Sequence, residues 1–173
     1  MHAVIESIAG CNVESHCFEG SVTDGDFAVR CIDEVLERFG RIDSLATAAG
    51  ITSFGKVESI TEDEWTRVLN INRSGTFRFC KQVLPVMRRQ KHGRIVAIGS
   101  LLAKNGGNTR PWPNRSDMMG AANIAYGVSK AGVHAMISYL AKDAAGDAVT
   151  VNCVAPGPIA ISMTQELSDS IKQ

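Results

Sequence analysis

Tyr126 and Lys130 stand four positions apart in the run "AYGVSKAG", Ala125 to Gly132. On an α-helix, residues at that spacing share a face about one turn apart. The phenol and the ammonium therefore point the same way. A fixed positive charge beside a phenol favours its charged form. A pair built like this is a proton donor and acceptor suited to general acid/base work. The same spacing also arises by chance, so the elements that carry it have to decide.

Those elements alternate between strand and helix. "VESHCF", Val13 to Phe18, alternates like a strand. A helical pattern follows in "TDGDFAVRCIDEVLERFG", with Phe27, Ile32, Val35, Leu36 and Phe39 on one face and Gly40 as the stop. "IDSLATAAG" reads as a buried strand over Ile42 to Ala48 that ends at Gly50. Thr61 and Glu64 form a capping box that opens a long helix towards Arg89, with Pro85 loosening its last turns. "GRIVAIGS" supplies a strand over Arg94 to Ile98, and "VTVNCVAPG" another over Val149 to Val154. Between them a helix runs from about Asn123 to Ala145, and its Ala131, Val133, Met136, Ile137 and Leu140 read as core or partner-helix contacts. Apolar strands alternating with helices imply one α/β domain over residues 1–173, with a parallel sheet covered on both faces. Ligands of such sheets bind beyond the carboxyl ends of the strands.

Composition narrows the partners. The 173 residues have a formal net charge of zero, which gives no global field for nucleic acid or an anionic membrane. The basic cluster Arg88 to Arg94 reads as cations at a helix C-terminus. Five cysteines (Cys11, Cys17, Cys31, Cys80, Cys153) contain no C-x-x-C pair, and His2, His16, His92 and His134 show no metal-ligand spacing. Reduced thiols in a cytoplasmic protein, with no metal and no membrane span, are the expectation.

Reading each strand to its carboxyl end gathers Gly50, Ser100 and "PGPI", Pro156 to Ile159, on one rim. The neighbouring helices bring Asn72, Tyr126 and Lys130 to the same rim. Taken one at a time, Ser100 could cap the next segment, Asn72 could satisfy backbone groups in a helix, and Pro156–Gly157 could be an ordinary turn. Together, "RID.L…AAG", "W..VL.IN..GTF", "GRIV.IGS", "Y.VSKAG" and "TVN.VAPGPI" occur in one order from Val13 to Met163. In this the sequence resembles the short-chain dehydrogenase/reductase family, in its compact form, and the 3-oxoacyl-carrier-protein reductase-like group within it.

The resemblance implies a Rossmann-like, doubly wound parallel sheet and hydride transfer between NAD or NADP and a carbonyl or alcohol substrate. It implies that Tyr126 is the general acid/base and that Lys130 favours the phenolate and holds the nicotinamide ribose. Ser100 holds the substrate oxygen, and Asn72 fixes a water of the proton relay. Ala48, Ala49, Gly50, Pro156, Gly157 and Ile159 then line the cofactor with Tyr126 and Lys130. It also implies a homodimer or homotetramer built on the two long helices, through Phe77, Phe79, Val83, Ala135 and Ala141.

The sequence departs from the family in several places. The glycine pattern T-G-x-x-x-G-x-G does not occur, and the sequence stops at Gln173 soon after "PGPIAISM", so the first two strands and the last strand of the family fold are expected to be lacking. The strand at Ile42 to Ala48 then either pairs with Val13 to Phe18 or keeps an open edge. Ser21 stands for the usual Asp of a "DVTD"-like segment, "TAAG" for Asn-Asn-Ala-Gly, and Ile161 for a common threonine. An irregular excursion between Ser100 and Tyr126 carries Trp112, Arg110 and Arg115 as a wall of the pocket or as an exposed insertion. A non-catalytic, truncated Rossmann-like interaction module is the alternative from another class.

Overall fold

The computed structural model describes residues 13–106, 122–157 and 159. Helix α1, Gly25–Phe39, starts where the Asp24 side chain accepts the Asp26 N–H. It ends at Gly40, whose left-handed backbone (φ 73°) turns its N–H back to the Leu36 carbonyl at 2.9 Å. Strand β1, Ser44–Thr47, follows after Ile42, whose N–H and C=O are both bonded by the Gln90 carboxamide at 2.9 and 2.8 Å.

Helix α2, Glu62–Leu69, is capped by Thr61, whose Oγ1 accepts the Glu64 N–H at 3.1 Å. The other half of the expected capping box is not formed, because the Glu64 carboxylate turns to Arg67 at 2.8 Å. A π-helical segment, Asn70–Gly75, leads directly into α3, Thr76–Gln90, so the long helix has a widened turn in its middle. Pro85 lies within α3 and is exposed. Strand β2, Gly93–Ile98, is followed by the short α4, Leu102–Asn105. Helix α5, Ile124–Ala144, leads through a 3-10 turn to β3, Val149–Val154.

The strands form a parallel sheet in the order β1-β2-β3, with Leu45 beside Ile95 and Ile95 beside Val151. That register puts Ile95, Ala97, Val149 and Val151 on one face, where they meet Ile32, Val83, Met87, Val133 and Ile137 from α1, α3 and α5. Burying these side chains stabilises the fold by roughly 25 cal/mol per Å² of apolar surface removed from water.

Three expectations need correction. Val13 to Phe18 is not a strand. His16 pairs with Glu34 of α1 at 2.9 Å and packs edge-on against Phe18, while the Val22 carbonyl just downstream accepts from Arg78 at 3.2 Å. Side-chain contacts thus tie this stretch to α1 and α3. Among the described residues β1 therefore keeps one edge without a neighbouring strand. Among the described residues the core lies on one sheet face: Arg94, Thr150, Asn152 and Val154 on the other are exposed. Finally, Val83 belongs to the core and Phe79 stacks edge-on against Phe27, so neither is free for a partner helix.

Candidate active site at the strand ends

Helix α5 is set in place by its cap. The Asn123 side chain accepts the Ala125 N–H at 3.0 Å, and its Nδ2 donates to Ser53 Oγ at 2.8 Å and to the Phe54 carbonyl at 2.9 Å. One residue thus starts the helix and ties it to the loop leaving β1. Asparagine directly before a helical run is an N-cap signal, but nothing in the sequence marks Ser53 as its partner.

From that start, Tyr126, Lys130 and His134 lie one turn apart along α5. Lys130 is 5% exposed, and its Nζ donates to the Ile98 carbonyl at 2.7 Å. The ammonium sits 6.0 Å from the centre of the Tyr126 ring. Among the described residues no carboxylate pairs with it, and burial pulls its pKa down from the ordinary lysine value. The nearby Cys153 acts weakly in the other direction. A buried ammonium has three donor hydrogens, and the Ile98 carbonyl takes one.

Asn72 is fully buried in the π-helical segment. Its Oδ1 accepts the Ile51 N–H at 2.8 Å, while Nδ2 donates to the Ile51 carbonyl at 2.9 Å and to Ser129 Oγ at 2.9 Å. Ser129 in turn donates to the Tyr126 carbonyl at 2.7 Å. The side chain thus satisfies backbone groups, as a buried helix asparagine does, and links the β1 loop to the helix of Tyr126. Ser129 lies between Tyr126 and Lys130 in sequence, and nothing in the spacing marks it.

Gly50 completes this corner. A Cβ at Gly50 would lie 3.4 Å from both Asn72 Oδ1 and Lys130 Nζ. The bare backbone leaves a cradle there beside the ammonium. Ala48 and Ala49, just before it, are exposed at the strand end.

Ser100 is 5% exposed. Its Oγ accepts the Leu102 N–H at 3.2 Å, which leads into α4. The hydroxyl hydrogen itself remains available to donate. The Ser100 N–H donates to His134 Nε2 at 3.1 Å. Leu101 N–H reaches the Pro156 carbonyl at 3.0 Å, and Gly99 N–H the Val154 carbonyl at 2.8 Å, so the exits of β2 and β3 are sewn together. Gly157 and Ile159 are exposed beyond them. Pro158, Ile161 and the stretch with Arg110, Trp112 and Arg115 lie outside the described residues.

Comparison with known proteins gives a consistent result. A family model for short chain dehydrogenase matches residues 1–172. The chain is 36% identical over 170 residues to a 3-oxoacyl-acyl-carrier-protein reductase FabG of Staphylococcus epidermidis, covering 98% of this chain and 64% of that protein. The crystal structure of gox2181 matches with a TM-score of 0.85 and 31% identity, over 99% of this chain and 63% of that one. A short-chain dehydrogenase from Streptomyces avermitilis matches with a TM-score of 0.79 and 26% identity, over 94% of this chain and 55% of that one. The chain thus spans just under two thirds of the length of the curated relative it matches.

Proposed function

The chain belongs to the short-chain dehydrogenase family, and on that premise we propose that it interconverts a carbonyl compound and its alcohol with NAD or NADP. One observation carries the reading: a buried Lys130 ammonium, held by the Ile98 carbonyl at 2.7 Å, stands beside Tyr126 and beside the cradle at Gly50. A buried cation without a carboxylate partner is costly, and a functional site is where such a cost is kept.

In this reading Tyr126 holds the proton exchanged with the substrate oxygen, and the Lys130 charge steadies the phenolate left behind. The two remaining Lys130 donors suit a pair of vicinal hydroxyls, as on a ribose. The residues therefore fit the nicotinamide half of a dinucleotide, with Ala48, Ala49, Gly50, Pro156, Gly157 and Ile159 lining it. When bound, that group supplies the hydride chemistry that no side chain can. Ser100 donates its hydroxyl hydrogen to the substrate oxygen, where charge develops. Asn72 has both amide hydrogens engaged, so a relay water held at this residue would sit on its main-chain carbonyl. That carbonyl also accepts from Thr76 Oγ1 at 3.0 Å.

The name of the Staphylococcus relative makes a 3-oxoacyl thioester the first substrate to try. The assay is absorbance of NADH or NADPH at millimolar concentration with such a thioester. Substrate-dependent oxidation supports the reading, and none with any carbonyl probe overturns it. A second reading, a non-catalytic module that docks on a partner, draws on the open edge of β1. A cytoplasmic homodimer or homotetramer is the expected setting. No described helix is long and apolar enough to cross a membrane.

A further inference from the structure

Helix α5 grips the end of β2 with two side chains one turn apart. Lys130 donates to the carbonyl of Ile98, and His134 accepts the N–H of Ser100 at 3.1 Å. Gly99 lies between these two bonds. A Cβ there would stand 2.1 Å from His134 Nε2 and 2.7 Å from Cys153 Sγ, so the imidazole occupies the space a side chain at position 99 would need. Because Nε2 is the acceptor, the neutral ring carries its proton on Nδ1. Protonation of Nε2 abolishes the bond to Ser100, since imidazolium has only donors.

We propose that His134 is a positioning residue that holds Ser100 at the substrate oxygen through its backbone N–H, and that it does so only as the neutral imidazole. This rests on the oxidoreductase reading of Ser100. The groups facing the ring reinforce the dependence. Lys104 of α4 and Lys130 of α5 both stand near it, and Cys153 of β3 lies across Gly99. Lys104, His134, Ser138, Asn152 and Cys153 line one cavity of about 280 Å³. Among the described residues the charges that act on the ring are the cations Lys104 and Lys130, so an imidazolium there meets repulsion. Burial first, then Lys104 and Lys130, hold the His134 pKa below the ordinary histidine value. Acidification therefore releases Ser100 at a pH below ~6.5, the unperturbed histidine value.

The test joins a spectroscopic readout to a kinetic one. In the isotope-labelled chain, the Ser100 amide shift is followed by NMR against pH together with the His134 ring. Both should report one midpoint, below ~6.5. In His134→Gln the side-chain oxygen still accepts but does not titrate. The Ser100 amide should then stay constant, and the acid limb that His134 puts on turnover should vanish, with turnover near pH 8 kept within a fewfold. His134→Leu, with no acceptor, should lose about tenfold in turnover above the His134 midpoint with little change in KM, as misplaced reacting groups do, and should converge on the parent below it. A Ser100 amide that stays flat while His134 titrates overturns the proposal, and this needs no variant. An amide that tracks His134 in a chain with no turnover on any substrate supports the positioning and sinks the oxidoreductase reading instead.

Discussion

At the scale of single residues, the site depends on contacts that leave no slack. Gly99 is one such point, since a methyl group there enters the van der Waals space of His134 and Cys153. Gly99→Ala should destabilise the fold by about 1–3 kcal/mol, the usual cost of overpacking. Urea denaturation would measure this, and the same change made in His134→Ala should cost distinctly less because the ring is gone. A penalty equal in both backgrounds would mean that the two residues do not touch. Tyr126 behaves differently: it is half-buried at the start of α5, and its side chain is not part of the core. Tyr126→Phe should leave the melting temperature within a few degrees of the parent and lower turnover at least a hundredfold, as loss of a general acid does. A Phe variant that keeps most of its turnover removes Tyr126 from the chemistry.

At the scale of elements, the widened turn between α2 and α3 is what brings Asn72 to the loop after β1. Its three side-chain hydrogen bonds to Ile51 and Ser129 join three elements at one buried amide. Asn72→Ala strands the Ile51 N–H and carbonyl, and should cost about 2 kcal/mol, within the range for orphaned buried polar groups. Hydrogen exchange should show the Ile51 amide losing protection while amides inside β2 keep theirs. Unchanged protection at Ile51 would show that the clamp contributes nothing. The half-formed capping box is another element-scale outcome. Thr61 and Glu64 have the right spacing, but Arg67 lies one turn on and its bidentate contact, at 2.8 and 3.0 Å, draws the carboxylate away.

At the scale of the molecule, pH and binding are the accessible tests. The folded state disfavours the His134 imidazolium, so an unfolded chain binds that proton more readily. Stability from this residue is complete above ~6.5 and falls as pH drops towards the lower folded value. Denaturation midpoints between pH 7.5 and 5 should decline, and His134→Gln should flatten that part of the decline. Nicotinamide binding is expected to be weak, because among the described residues those that fit the group reach only its nicotinamide half. Calorimetry that gives micromolar or tighter binding of NADH or NADPH would overturn that. Exposed Phe77 on α3 and Tyr139 on α5, 49% and 79% accessible, are among the apolar side chains the long helices leave for self-association. Light scattering should find a dimer or tetramer that Tyr139→Glu weakens, and a strict monomer at micromolar concentration would count against it.

The sequence by itself determined the elements and the order of the motifs. Local chemistry is enough for that: Gly40 ends α1, apolar runs become β2 and β3, and four-residue spacing brings Tyr126 and Lys130 together. The same local rules failed at Val13 to Phe18. Alternation describes a surface ready to pair, but only a neighbouring strand makes it a strand. Tertiary structure also decided what Asn72 and His134 touch. Their partners Ile51, Ser129 and Ser100 lie 21, 57 and 34 positions away along the chain. No spacing rule reaches that far, and nothing in the sequence marks His134 beyond its being one turn past Lys130. Which face of the sheet holds the core was equally out of reach, because a buried apolar run reads the same whether helices cover one side or both.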